Sequence, residues 1–453
     1  MNLRNYSYIY FLGIGGIGMS AIARYFHREK YFVAGYDKTP SSLTGALINE
    51  GIQVNFENSN KVIPGDWTDK NTCLVVYTPA IPNDNKQLKF FKKNNFTIKK
   101  RAEVLGRLSQ NKECIAVAGT HGKTSVSSLV AHLLCQTNDK CLGFFGGISK
   151  NYQSNFIYSN GDKIVVEADE FDRSFLHFSP TVLLVTSLDA DHLDIYGSKK
   201  EMVNNYQLLV NQIKSKGVLL LKKGLKLDFS GKVYTYSLYE EADFCLKNLK
   251  TTEQHYIFDM ITPFGKINNL RIFLTGEIYL ENSVAAIAAT TISEINKNIL
   301  KKGLLSYKGV VRRFDIQVLT KKLVYIDDYA HHPKEILATI SSVRKLFPRK
   351  KICGVFQPHL YSRTRNFASD FAKSLNLLDE LILLPVYPAR ELPIPGITSK
   401  LIFDEITTEK TFCEKEELLN LIEGKDIEVL LTLGAGDIDR FVYRVKETLE
   451  KRC

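Results

Sequence analysis

The eight cysteines of this chain form no pattern. They stand at positions 73, 114, 135, 141, 245, 353, 413 and 453, with no C-x-x-C and no paired spacing. That excludes a cysteine zinc site and a disulfide framework, and it fits a reducing compartment. Long apolar runs are missing too: none reaches the roughly 18 residues that crossing a bilayer requires. The run Tyr8 to Leu12 behind Arg4 breaks into Gly13-Ile-Gly-Gly-Ile-Gly18 instead of leading to a small-residue cleavage site, so this run reads as strand then turn and a cytoplasmic protein is expected. There is no internal repeat and no low-complexity tract. The formal charge of +11 could suit an anionic partner, but the basic pairs (Lys92-Lys93, Lys222-Lys223, Lys301-Lys302) and the runs Lys99 to Arg101 and Arg349 to Lys351 carry no interleaved aromatics. They read as solvated surface, and neither nucleic acid nor membrane is inferred from them.

What is present is a globular chain. Hydrophobic residues make up 44% and charged residues 24% of 453 positions, enough for several cores. Short apolar runs alternate with helical spacing. Tyr8 to Leu12, Phe32 to Tyr36 and Cys73 to Tyr77 read as buried strands, with Met19 to His27 as a helix. A second series opens with Cys114 to Ala118, continues at Lys163 to Val166 and Thr181 to Thr186, turns strand-like over 215–275, and returns to helix at Glu281 to Ile295. A third holds Leu323 to Ile326, Ile352 to Phe356, Glu380 to Leu384 and Val429 to Leu433. Strands separated by helix-length segments predict parallel sheets with crossovers. The expected organisation is three α/β domains in series, 1–107, 108–312 and 313–453.

Two glycine-rich turns carry the chemistry. Gly13-x-Gly15-x-x-Gly18, with Gly16 inside it, lies between a strand and a helix, and Asp37 closes the second strand. Such glycines let a backbone approach a diphosphate at a helix N-terminus, which makes the first domain Rossmann-like. Gly119-Thr120-His121-Gly122-Lys123-Thr124 also follows a strand and opens a helix. Backbone N–H groups can cradle phosphates there, Lys123 can reach the terminal ones, and the Thr124 hydroxyl can ligate Mg²⁺. It departs from G-x-x-x-x-G-K-[ST] because Val117 stands where the first glycine belongs, so a tighter loop is expected. Acidic clusters follow two strands, Glu167-Ala-Asp169-Glu170 and Asp189-Ala-Asp191-His192-Leu-Asp194. Carboxylates at strand ends beside a phosphate loop suit Mg²⁺. Glu170 and Asp194 read as solvated caps, and His192 as a ligand.

Together these motifs resemble the muramyl ligases. Gly13 to Ser20, Tyr77-Thr78-Pro-Ala-Ile81, Phe175-Leu-His177, Arg312-Arg313-Phe314, Asp327-Asp-Tyr-Ala-His-His-Pro333, Phe356-Gln-Pro-His-Leu-Tyr-Ser-Arg-Thr364, Pro385 to Ala389, Pro393 to Gly396 and Gly434-Ala-Gly-Asp437 extend the resemblance over the whole chain. It implies a UDP-sugar domain, a central ATP domain of P-loop type and a Rossmann-like C-terminal domain for the amino acid. It implies further that ATP and Mg²⁺ are used to join L-alanine to the carboxylate of UDP-N-acetylmuramate in peptidoglycan precursor synthesis. By resemblance, Lys123, Glu167, His192 and Arg313 are the catalytic set, and Thr124, Glu167 and His192 serve the metal. Gly119, Thr120, Gly122, Lys123, Thr124, Asn282, Arg313 and Asp328 bind ATP. Gly13, Gly15, Gly16, Gly18, Met19, Asp37, Thr78, His121 and His177 face the UDP-sugar, and His359 and Arg363 face the amino acid. The chain departs from the family pattern at Ile278-Tyr279, where His-Asn is usual, and at Tyr36, where a small serine is usual.

The implied reaction forms an acyl phosphate and then an amide, and it requires water to be kept out by closure of the third domain. Three other readings compete. A sibling ligase would add a preformed peptide. A nicotinamide oxidoreductase would use the first glycine loop with Asp37, but leaves Lys123 and the acids without a role. A nucleotide sensor would bind without ligating.

Overall fold

The computed structural model describes residues 3–137, 140–159, 161–189, 196–252, 255–273, 276–389 and 391–451. Three sheets follow one another along the chain, as the alternation of strands and helices predicts. The chain divides into two compact units, Met1–Phe273 with Asn282–Gly309, and Leu274–Glu281 with Val310–Cys453.

The first unit holds two sheets. In the N-terminal one, β1 (Tyr8–Leu12), β2 (Phe32–Tyr36), β3 (Gln53–Asn55), β4 (Cys73–Tyr77) and β5 (Thr97–Lys100) are parallel in the order β3-β2-β1-β4-β5. The central strand β1 is buried on both faces, which is why it reads as an unbroken apolar run. Ile9 and Phe11 enter one core, while Tyr10 and Leu12 enter another with Trp67, Leu88 and Phe91. Helix α1 (Ile17–Arg28) covers the first face with Met19, Ile22, Ala23 and Phe26, the spacing of one helical stripe. Met19, Ile22 and Phe26 each contribute about 1.5–3 kcal/mol by leaving water.

The central sheet contains β6 (Glu113–Ala118), β7 (Cys141–Ser149), β8 (Ser154–Tyr158), β9 (Lys163–Glu167), β10 (Val182–Val185), β11 (Val218–Lys222), β12 (Lys232–Ser237), β13 (Phe244–Thr251), β14 (His255–Ile261) and β15 (Ile267–Phe273). Their order is β15-β14-β13-β12-β11-β10-β6-β9-β7-β8. The middle is parallel, but β8 and the β13–β15 meander run antiparallel at the two edges. The reason is visible in β15, where buried and exposed residues alternate; a sheet with one wet face is built from antiparallel strands. Both sheets of this unit share one apolar cluster, from Ile9 and Phe26 to Val166 and Leu221. A polar clasp adds to it. Buried Arg24 of α1 pairs with Glu50 at 2.8 Å and donates to Asn155 of β8, whose amide donates to Ser20 Oγ at 2.9 Å.

The second unit is built on β16 (Asp315–Leu319), β17 (Val324–Asp328), β18 (Ile352–Phe356), β19 (Glu380–Leu383), β20 (Glu409–Phe412) and β21 (Val429–Leu433), in the order β16-β17-β21-β18-β19-β20. Only β16 is antiparallel to its neighbour. Separate cores lie on the two faces, one around Ile326 and Phe356 and the other around Tyr325 and Val355.

Candidate active site

In the central sheet β6 lies between β9 and β10, so its C-terminal end opens where the strand order changes direction, the usual crevice of a parallel sheet. Strand β6 runs through Val117 to Ala118, and helix α5 (Lys123–Cys135) starts at Lys123. Only 119–122 are left for the turn, a loop shortened by a strand that continues past the missing glycine. Gly119 has φ +129°, and a Cβ there would stand 2.1 Å from Thr186 Oγ1. The turn is stitched to the end of β10: Thr120 Oγ1 meets Ser187 Oγ at 2.9 Å, and His121 N donates to the same oxygen at 2.8 Å.

Lys123 Nζ donates to Gly119 O at 2.7 Å and lies 3.0 and 2.8 Å from the two oxygens of Glu170. Burial would strip its proton, but the carboxylates of Glu170, Asp169 and Glu167 outweigh burial and hold its pKa above the ordinary lysine value. Glu170 is 1% exposed. The reading of Glu170 as a solvated cap is therefore corrected: a lysine this buried needs an opposite charge beside it, and Glu170 supplies it. Thr124 Oγ1 donates to Glu167 Oε1 at 2.9 Å, and Gly146 N donates to the other oxygen at 2.6 Å. Asn282 adjoins the loop, its Oδ1 2.6 Å from where a Cβ on Gly122 would be. His121 Nε2 is 3.6 Å from Asp189 Oδ2. His192, with Asp191 and Asp194, lies outside the described residues.

A hydroxyl and a carboxylate beside a phosphate loop are the hard oxygen donors that Mg²⁺ takes when phosphates and water complete its shell. The Thr124 hydroxyl and the Glu167 carboxylate, already in contact at 2.9 Å, fit an ion that is held together with bound phosphates.

The N-terminal glycine loop is placed alike, beyond β1 and between β2 and β4. Its amides are mostly spent inside the protein. Gly13 N and Ile14 N donate to Tyr36 O at 2.7 and 3.0 Å, Gly16 N to Gly13 O at 3.1 Å, and Gly15 N to Asp37 Oδ2 at 2.8 Å. Thr78 abuts Gly13, its Cγ2 2.7 Å from a Cβ built there. Met19 is a core residue, 2% exposed. Helix α4 (Arg101–Ser109) has one end at this loop and packs near its other end, through Gly106, on His177 of the 3-10 segment Phe171–His177.

In the second unit, Asp328 is 3% exposed and saturated with donors: Tyr279 Oη at 2.8 Å, Phe314 N at 3.0 Å, Thr339 Oγ1 at 3.3 Å and Ala330 N at 2.8 Å. Burial raises its pKa to about 6. Tyr279, the departure from the family pattern, is thus a ligand of this carboxylate. Arg312 is tied to Asp327 at 3.0 Å, and the Arg313 guanidinium lies 4.9 Å from the Tyr329 ring centre. Arg363 reaches His359 Nδ1 at 3.5 Å; His359 stacks on Tyr387 and adjoins His331. Burial lowers both histidines to about 4, so they are neutral near pH 7 and Arg363 carries the positive charge of this cluster.

Three family models match in sequence order: the Mur ligase family catalytic domain over residues 8–113, the Mur ligase middle domain over 117–290, and the Mur ligase glutamate ligase domain over 312–436. The UDP-N-acetylmuramate–L-alanine ligase of Phocaeicola vulgatus is 47% identical over 459 aligned residues that cover all of both chains. The chain belongs to the Mur ligase family. A Flavobacterium psychrophilum protein of the same description is 45% identical, again over the full length of both. The crystal structure of the UDP-N-acetylmuramate–alanine ligase of Thermotoga maritima superposes with a TM-score of 0.82 at 27% identity, covering 98% of this chain and 99% of that one. A murein peptide ligase from Psychrobacter arcticus, at TM-score 0.69 and 18% identity, shares the fold.

Within this ATP-using family of ligases, the structure gathers Gly119, Thr120, His121, Gly122, Lys123, Thr124, Glu167 and Asn282 around one turn. It places Gly13, Gly15, Gly16, Gly18, Asp37 and Thr78 around the other. Arg313, Asp328, His359 and Arg363 belong to the second unit. Sequence reasoning missed Ser187, Glu170 as the partner of Lys123, and His331. A serine one residue beyond a strand gives no signal by itself, whereas Glu170 sits in an acidic cluster whose burial could not be read locally.

Proposed function

We propose that this enzyme uses ATP to join the amine of L-alanine to the lactyl carboxylate of UDP-N-acetylmuramate, releasing ADP and phosphate in the cytoplasm. The observation that carries this reading is the Lys123–Thr124–Glu167 cluster at the phosphate loop, in a chain 47% identical end to end to an alanine-adding ligase. Residues 1–107 would bind the UDP-sugar, 108–312 the ATP, and 313–453 the amino acid.

The carboxylate attacks the γ-phosphorus and ADP leaves; the neutral amine then attacks the acyl phosphate carbonyl, and phosphate leaves. Positioning and charge do the work of catalysis. Lys123, kept cationic by Glu170, offsets charge on the transferring phosphoryl group. Thr124 and Glu167 would hold Mg²⁺, with His192 as the expected third ligand; when bound, the ion supplies charge neutralisation at the phosphate oxygens. Arg363 offers a planar fork to the alanine carboxylate, and the neutral His359 beside it leaves the amine free of a second cation.

Phosphate release with each substrate omitted in turn tests the assignment, with the nucleotide product weighed by mass spectrometry. Release that needs UDP-N-acetylmuramate, L-alanine and Mg²⁺ together, with a product heavier by one alanine less one water, is the expected result. Release with a tripeptide but not with alanine would establish the sibling activity instead, and release without any sugar nucleotide would contradict a ligase.

A further inference from the structure

The N-terminal glycine loop has a charge problem. A diphosphate brings about two negative charges, yet four consecutive loop amides, Gly13 to Gly16, are consumed by Tyr36 O, Asp37 and Gly13 O. Met19 N and Ser20 N also return to Gly16 O. The amides of Ile17 and Gly18 remain, together with a carboxylate, Asp37, of the wrong sign. The phosphate-loop lysine of the central domain has no counterpart within this turn, and a cation must come from elsewhere.

It comes from α4. A Cβ on Gly18 would stand 2.7 Å from Arg101 Nη1 and 3.2 Å from its Cζ, so the guanidinium lies against the loop at Gly18. That contact gives Gly18 a reason of its own: any side chain there would displace the arginine. Helix α4 is fixed at this end by Glu103, which accepts from Lys100 N at 2.7 Å and pairs with Lys99 at 3.0 Å. Lys99 is thereby paired. Arg101 is not: among the described residues it has no hydrogen bond or ion pair. A partly buried guanidinium with five unspent donors, laid against a glycine turn with two open amides, lacks only an anion.

We propose that Arg101 is the diphosphate-binding cation of the nucleotide-sugar site, reaching the loop from a different helix. The proposal rests on the reading of the first domain as the UDP-sugar domain and adds the residue that neutralises the substrate's central charge. The far end of the same helix packs on His177, so α4 also spans from the diphosphate end toward the central domain.

Calorimetric titration of the full chain with UDP, UDP-N-acetylmuramate, UDP-N-acetylglucosamine and ADP is the test. Arg101→Gln should weaken all three uridine nucleotides about tenfold to a hundredfold, the worth of charge-assisted hydrogen bonds. ADP affinity and the melting temperature should stay at wild-type values, and Arg101→Lys should fall between. Uridine-nucleotide affinity within twofold of wild type in the folded Gln variant overturns the proposal. So does a loss confined to UDP-N-acetylmuramate, which would put Arg101 on the lactyl carboxylate. Should Arg101→Gln fail to fold, the Lys variant decides: Kd values for UDP unchanged and equally salt-sensitive would show that the guanidinium fork is not used, and overturn the assignment. A wild-type chain that binds no uridine nucleotide removes the UDP-sugar reading itself, a result distinct from the others.

Discussion

The two glycine turns of this enzyme occupy the same place in two similar sheets, yet they solve the phosphate problem differently. The central turn carries its own cation. Lys123 is the first residue of its helix, and a fully buried Glu170 keeps it charged and pointed. The N-terminal turn spends its amides on Tyr36 and Asp37, and the nearby positive charge belongs to α4. A built-in lysine suits a group on which bonds break, because charge shifts there and must be met at a fixed point. A borrowed arginine suits a diphosphate that is held through the reaction and never cleaved. The glycine pattern alone does not separate these cases; the ionic partners do.

The comparison breaks first at Lys123. Lys123→Ala should lower turnover about a thousandfold, the scale of losing one main electrostatic stabiliser, as read by phosphate release at saturating substrates. Next in size is a glycine contrast. Gly119→Ala forces a Cβ to 2.1 Å from Thr186 Oγ1 at φ +129°, a strain of about 2–4 kcal/mol. Gly16→Ala, at φ −65° with nothing nearer than 3.4 Å, should cost about 1 kcal/mol or less as a lost helix cap; denaturant melts compare the two. Glu170→Gln removes the charge that holds Lys123, and turnover should fall about ten- to a hundredfold for one charged hydrogen bond of ~1.5–3 kcal/mol. The smallest effect belongs to Asp37→Asn, which keeps an acceptor for Gly15 N and removes a negative charge beside the diphosphate; UDP affinity should rise about twofold to fivefold, the scale of one partly exposed charge pair, with ADP binding unaltered.

Much of this architecture was legible before any coordinates. Strands Phe32–Tyr36, Cys73–Tyr77, Ile352–Phe356 and Val429–Leu433 fall where the apolar runs end, because parallel strands buried on both faces write their limits plainly. The antiparallel edges of the central sheet were not foreseen as such; β13 to β15 are only half buried, and their short alternating pattern says strand without saying direction. Lys123 and Thr124 were legible from Gly-Lys-Thr after a strand. Glu170 was misread because burial depends on residues far along the chain, such as Tyr196, whose hydroxyl donates to the Glu170 carbonyl from beyond the next strand. Arg101 was hidden inside a basic run that looks like surface; its contact with Gly18 joins residues far apart in the chain. Tyr279 shows in the sequence only as a departure from the family's His-Asn, and its bond to Asp328 joins residues far apart in the chain.

The most direct measurement is a pair of titrations on Lys123→Ala, one with a non-hydrolysable ATP analogue and one with UDP-N-acetylmuramate. The account predicts that binding of the triphosphate analogue collapses while the muramate nucleotide binds as in the wild type, because the two turns hold their phosphates with separate cations. Equal loss of both ligands, or loss of the uridine nucleotide alone, would contradict it.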